Sequence, residues 1–275
     1  MNRLVIIGNG FDMAHGLKTS YMDFINWYWD RRVDAFVGNT SKVSEDCLCN
    51  LIFKDGSNLS CWNALAFENS YFRDFRGNRK CSGYEVIREM QDNPDIFTID
   101  CTPFFGTIIQ SIETRGWVDI ENDYYQLLKQ CTQGEDCSYT VKELNEQLAF
   151  LQDKLIEYLR SIGTPQPKEE LQKAMIAPLN PEDFSTEGRK KALEDIGLDI
   201  KSIAELRYNH EERNKLFPGR VMLLSFNYTP TANMYGNFNL EHNFIHGELE
   251  HPEHIIFGYG DELDKFYQNF RRSVP

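Results

Sequence analysis

At 275 residues with 41% hydrophobic content, the chain is long enough to bury a sizeable core as one large domain or two small ones. Its 42 acidic against 29 basic side chains give a formal charge of -13, and such a surface repels nucleic-acid phosphates and anionic bilayers alike, so neither is expected as a partner. The dense basic groups, Arg189 to Lys191 and Arg271 to Arg272, are short and read as solvated faces.

The first element is Leu4-Val5-Ile6-Ile7, an apolar run rich in β-branched residues and closed by Gly8-Asn9-Gly10. It is far too short for a signal-peptide core or a membrane span, and a cytoplasmic protein is expected. Its pattern predicts a central strand buried on both faces of a parallel sheet. Ser20-x-x-Asp23 resembles a capping box ahead of an aromatic helix through about Val37. The stretch 38–105 shows no usable period. From Val141 to Ile162, Leu144, Leu148, Leu151, Leu155, Tyr158 and Leu159 recur at steps of three and four, which predicts a helix that stops at Gly163-Thr164-Pro165. Residues 164–181, with four prolines, read as a linker, and a further helix is expected over about 187–216.

After the turn signal Pro218-Gly219, Val221 to Phe226 predicts a second central strand, and Phe244-Ile245 and Ile255 to Phe257 two shorter ones. The sheet is thus assembled from both ends of the chain. The expected architecture is α/β, a Rossmann-like, mostly parallel sheet flanked by helices, with residues 1–37 and 217–275 forming a nucleotide-binding core and 38–216 a large, mainly helical insertion. The seven cysteines, 47, 49, 61, 81, 101, 131 and 137, include no C-x-x-C pair and share their stretch with no histidine, so no metal site is expected. Reduced thiols fit better than a disulfide such as Cys131 with Cys137.

Gly8-Asn9-Gly10-Phe11-Asp12 lies where an open parallel sheet places its ligands, at the C-terminal end of a strand. A Cβ at either glycine obstructs a tight turn or the approach of a phosphate. The dinucleotide fingerprint is incomplete, since its third glycine falls on Met13, and there is no Walker lysine; an ordinary βα connection fits as well as a nucleotide site. Asp12, His15, Gly16, Thr19 and Tyr21 follow closely. Asp12 is either a ligand-facing group or a helix N-cap, and His15 either a site residue or a histidine bonded to nearby backbone. Downstream, Asn227 and Tyr228 end one strand, while His246-Gly247 ends another. An asparagine can hold a water or a ribose hydroxyl, and a histidine moves protons near neutral pH. Each also has a plain reading, Asn227 as an Asx-turn and His246 as a satisfied turn residue.

Taken together, IIGNGFDMAHGLKTSYMDF, SFNYT and IHG followed by IIFGYGDE resemble the AbiH family of bacterial abortive-infection proteins, over about a quarter of the chain. More distantly the trio is similar to SIR2-like NAD-consuming domains. That resemblance implies Gly8, Gly10 and Gly16 as phosphate-binding glycines, with Asn9, Phe11, Asp12, His15, Thr19, Tyr21, Tyr228 and Gly247 around the cofactor. It implies Asn227 and His246 as catalytic residues and NAD as ligand or substrate. Asp12, Lys18 and Thr229 depart from the SIR2-like pattern, and without a zinc-binding cysteine module deacetylation is disfavoured. The implied role is phage defence by binding, and hydrolysing, NAD or a related nucleotide, with a phage-derived trigger or a protein partner. The alternative is a non-catalytic nucleotide sensor or partner-binding subunit. A metal-dependent nuclease built on His242, His246, His251 and His254 ranks behind both, because Gly247 and Pro252 break any helix that would align them.

Overall fold

A computed structural model describes residues 1–38, 42–54, 79–115, 120–132, 139–198, 209–236 and 240–256. In chain order the elements are β1 (Asn2–Ile7), α1 (Asn9–Ala14), α2 (Tyr21–Gly38), β2 (Val43–Glu45), β3 (Cys49–Phe53), α3 (Gly83–Asp92), β4 (Phe97–Cys101) and α4 (Pro103–Arg115). There follow α5 (Ile120–Thr132), α6 (Val141–Ser161), α7 (Glu169–Ile176), α8 (Thr186–Asp195), α9 (His210–Asn214), β5 (Arg220–Ser225) and β6 (Leu240–Phe244). The chain forms two compact units, Met1–Lys18 with Ile162–Ile256 and, separately, Thr19–Ser161.

The first unit is built on a parallel sheet of order β1-β5-β6. β1 pairs with β5 from Asn2↔Arg220 to Ile7↔Ser225, and β5 with β6 from Val221↔Leu240 to Ser225↔Phe244. Ile7, Val221 and Leu223 pack on one face with Met175 and Leu171 of α7 and with Ala232, Met234 and Tyr235, which lie in and just after the 3-10 turn Pro230–Met234. The other face of β1 is open, with Leu4 56% and Ile6 68% exposed. This corrects the expectation of a first central strand buried on both sides: among the described strands β5 is the central one and β1 an edge, covered on one face. A continuous apolar run hides which alternate residues face inward, so the sequence pattern could not separate the two cases.

Three further expectations shift. Residues 164–181 are more than a linker, because α7 lies within them and its Leu171 and Met175 join the core. The helix expected over 187–216 is two helices, α8 and α9, with 199–208 outside the described residues. α8 stops where the Leu198 N–H turns back to the Leu193 carbonyl at 2.8 Å. Ile255 and Ile256 form no strand but follow the 3-10 turn Pro252–His254, and Phe257 lies outside the described residues.

In the second unit Ser20 caps α2 as its sequence indicates, accepting the Asp23 N–H at 3.1 Å and donating its hydroxyl to the Asp23 carboxylate at 2.5 Å. Phe24, Ile25, Tyr28, Trp29, Val33 and Phe36 bury one side of α2. Phe24 and Trp27 meet Tyr158 of α6, with ring centroids 5.9 and 5.4 Å apart. α6 has the expected span and stripe, with Leu144, Leu151, Leu155, Tyr158 and Leu159 buried, and it opens on a capping box between Thr140 and Glu143. These contacts place α2 with the second unit, whereas the sequence division put residues up to 37 with the nucleotide-binding core. The stretch without a readable period contains an antiparallel sheet of order β2-β3-β4. Arg32 fastens its first turn to α2: its guanidinium donates to the carbonyls of Ser44 (2.9 Å) and Cys49 (2.7 Å) and pairs with Asp46 at 3.2 Å.

Candidate functional site

Because β1, β5 and β6 run parallel with Ile7, Ser225 and Phe244 in register, the segments that follow them leave the sheet at one rim. Gly8, Asn227 and His246 all lie there. Backbone bonds extend the register past the strands: Phe226 N–H donates to the Ile7 carbonyl at 2.9 Å and Ile245 N–H to the Ser225 carbonyl at 2.9 Å.

The side chains tie the rim together. Asn227 Nδ2 donates to the Gly8 carbonyl at 2.9 Å across 219 residues, while its own N–H donates to Ser225 Oγ at 3.2 Å. Asn227 is therefore a bridge between two strand ends rather than an Asx-turn. Next to it Thr229 Oγ1 donates to Asp12 Oδ2 at 2.5 Å, and Thr231 Oγ1 donates to Thr229 Oγ1 at 3.1 Å. Asp12 is 1% exposed and its Oδ1 has no hydrogen-bond partner among the described residues. It sits inside α1, whose N-cap is Gly8, so the N-cap reading of Asp12 does not hold. A buried carboxyl oxygen without a donor is rare, and such groups are normally met by a bound molecule or a water.

His246 borders this cluster. Its ring stands edge-on to Phe226 (centroids 5.5 Å apart) and 6.2 Å from Tyr228, the two residues flanking Asn227. Gly247 makes the turn after it with φ +80°, and a Cβ there would fall 2.4 Å from the His254 carbonyl oxygen. Two cross-links close the loop: Leu249 N–H to the Tyr228 carbonyl at 2.9 Å and Ile256 N–H to the His246 carbonyl at 3.0 Å.

His15 belongs to a different arrangement. Tyr235 Oη accepts the Lys168 N–H at 2.8 Å and lies 2.5 Å from His15 Nε2, while His15 Nδ1 lies 2.7 Å from the Phe11 carbonyl. One assignment satisfies every partner: Nδ1–H donates to Phe11, and Nε2 accepts from the tyrosine hydroxyl. Phe11 packs on both rings, 4.5 Å from His15 and 5.7 Å from Tyr235, so both residues face the core under α1. Gly16 has a structural reason as well. It takes φ +80° after the last turn of α1, with Gly16 N–H on the Met13 carbonyl (2.9 Å) and Leu17 N–H on that of Asp12 (3.1 Å). Gly8 and Gly10 differ, because a Cβ at either meets nothing within 4 Å. Asn9 is exposed beside them, and Thr19 and Tyr21 lie in the second unit.

Thr229, Thr231 and Tyr235 complete the cluster and its support; the sequence marked Thr229 only as a departure from the SIR2-like pattern and did not single out the other two. Thr229 stood inside the quoted SFNYT, but a partner 217 residues away leaves no local signal. Among the described residues no three His, Cys, Asp or Glu side chains are grouped to hold a metal, and no helix is long and apolar enough to cross a membrane.

Sheet and rim together define an α/β protein with a polar cluster at the C-terminal edge of a parallel sheet, the edge at which open α/β folds bind ligands. The chain belongs to the AbiH family: the family model, described as bacteriophage abortive infection AbiH, matches residues 4–273. Membership indicates a role in phage abortive infection, a form of defence. No curated protein and no solved structure gives a match.

Proposed function

We propose that the rim binds NAD or a related nucleotide and hydrolyses the bond between its base and ribose, in a SIR2-like manner. The observation that carries the reading is the 2.9 Å bond between Asn227 and the Gly8 carbonyl, which joins the asparagine loop to the glycine turn. Two glycines whose Cβ positions face open space beside that bond leave room for phosphates against the backbone. α1 has only six residues, so backbone N–H groups rather than a helix dipole hold the phosphates. In this reading Asn227 positions the ribose or the attacking water, and His246 takes a proton from a ribose hydroxyl. Water adds to the anomeric carbon as the bond to nicotinamide breaks, and nicotinamide and ADP-ribose leave. A phage-derived trigger or a protein partner would set when this happens.

Purified protein incubated with NAD should release nicotinamide, and Asn227→Ala and His246→Ala should each abolish release. Gly8→Ala should weaken nucleotide binding while leaving the melting temperature unchanged, since its Cβ touches no protein atom. Absence of turnover with NAD and related dinucleotides, even in extract from infected cells, would sink the hydrolase reading. A second reading, ligand sensing without turnover, draws on Asn227 itself, which is 9% exposed and already donates to Gly8. A thermal-shift screen separates the two: a nucleotide that stabilises the protein and is recovered intact favours the sensor.

A further inference from the structure

Cys49 and Cys101 face each other directly across the β3–β4 ladder, with Sγ atoms 3.2 Å apart and both thiols free. The ladder bonds fix the kind of pair they form. Thr102 N–H donates to the Leu48 carbonyl and Lys54 N–H to that of Ile96, so the opposed pairs 48/102 and 54/96 are the hydrogen-bonded ones. Hydrogen-bonded and non-hydrogen-bonded pairs alternate along an antiparallel ladder, which makes Cys49/Cys101 a non-hydrogen-bonded pair. There Cα atoms are about 4.5 Å apart and side chains closest, within the range a disulfide spans. Phe53 and Phe97, of the same parity, stack with centroids 5.4 Å apart, as such a pair should.

The strands hold the sulfurs in place. Asp46 Oδ1 accepts the N–H groups of Leu48 (2.8 Å) and Cys49 (2.9 Å), and Arg32 binds the Cys49 carbonyl at 2.7 Å. Cys49 is fully buried and Cys101 half-buried. The Cys101 thiol beside it and burial both push the Cys49 thiol up from its ordinary value, so Cys49 alone is a poor first nucleophile.

We propose that Cys49 and Cys101 form a redox site, a dithiol that low-molecular-weight disulfides convert to a cross-strand disulfide in two exchange steps. The Cys101 thiolate attacks the small disulfide, forming a mixed disulfide and releasing one small thiolate, which takes up the proton that Cys101 lost. Cys49 then attacks the Cys101 sulfur, and the second small thiol leaves with the Cys49 proton. Two protein thiols are oxidised and one small disulfide is reduced to two thiols. The product ties β3 to β4 at the point where the chain enters α4, closing a span of 52 residues between the two cysteines.

The test treats the reduced full-length chain with glutathione disulfide, blocks remaining thiols, and maps linked peptides by mass spectrometry without reduction. The expected result is a Cys49–Cys101 linked pair, two fewer alkylatable thiols, and no accumulated glutathione adduct at Cys101. The oxidised protein should melt higher by roughly 5–10 °C. In Cys49→Ser the glutathione adduct at Cys101 should persist, and in Cys101→Ser no linked pair should form at Cys49. The proposal is overturned by a stable glutathione adduct at Cys101 in the unsubstituted chain. It is equally overturned by a disulfide that joins Cys101 to the exposed Cys47 in place of Cys49.

Discussion

The contact between Thr229 and Asp12 can be tested by replacing Thr229 with valine, which has the same shape but no hydroxyl. Thr229 is 4% exposed and donates to Asp12 Oδ2 at 2.5 Å, in a carboxyl group whose other oxygen already has no partner among the described residues. Loss of this bond leaves the buried carboxyl without a donor and also strands the hydroxyl of Thr231, which now donates to Thr229 at 3.1 Å. A hydrogen bond to a buried carboxyl is worth about 2–3 kcal/mol when its donor is deleted. Amide hydrogen exchange reports on this region directly. Peptides covering β1 and β5 should exchange roughly 30- to 150-fold faster in Thr229→Val. Thr229→Ser, which keeps the hydroxyl, should stay within about tenfold of the unsubstituted chain, the cost of one methyl group. Exchange in Thr229→Val within threefold of the unsubstituted chain, or serine as damaging as valine, would refute the reasoning.

Gly247→Ala should destabilise the first unit by roughly 2–4 kcal/mol, because the residue combines φ +80° with a Cβ position 2.4 Å from the His254 carbonyl. Gly236→Ala, where a Cβ meets nothing within 4 Å, should be nearly neutral, and equal melting temperatures for the two variants would contradict the geometry. The second unit should weaken in alkali. Burial and the Asp46 carboxylate hold the Tyr28 phenol above its ordinary value of 10.0, and the Cys101 contact and burial hold Cys49 above 9.0. Both stay protonated in the fold while the unfolded chain ionises. Stability is thus fully present below about pH 9 and falls as pH rises, by about 1.4 kcal/mol per pH unit per group once the unfolded group is ionised. Urea titrations of the reduced protein between pH 8 and 11 should show this slope, and Tyr28→Phe should remove its share above pH 10.

How much of this was legible in the sequence depends on how far apart the partners are. The capping serine at 20, the stripe from Leu144 to Leu159 and the apolar run from Val221 each carry their signal within one element, and each appears as read. β3 was missed although Cys49, Leu51 and Phe53 alternate buried with half-buried neighbours, because five residues rich in neither Val nor Thr give a weak period. The one-sided burial of β1 depends on what covers each face, which Leu4-Val5-Ile6-Ile7 does not encode. At the rim, the glycine turn, Asn227 and His246 were named from motifs, but the bonds that join them are not local. Asp12 was marked by its place after the turn, while Thr229, its partner, needed the parallel register to be found.

The parallel pairing of β1 with β5 also dictates an order of events during synthesis. Residues 2–7 emerge first yet find their neighbours only after residue 220 has been made. Loop closure over such a distance is slow and comes late. By then the segment Thr19–Ser161 has left the ribosome, so the contacts of α2 with α6 and the ladder β2-β3-β4 can already form. A nascent chain that stops short of residue 220 can therefore contain those packed helices and strands while its opening strand is still unpaired.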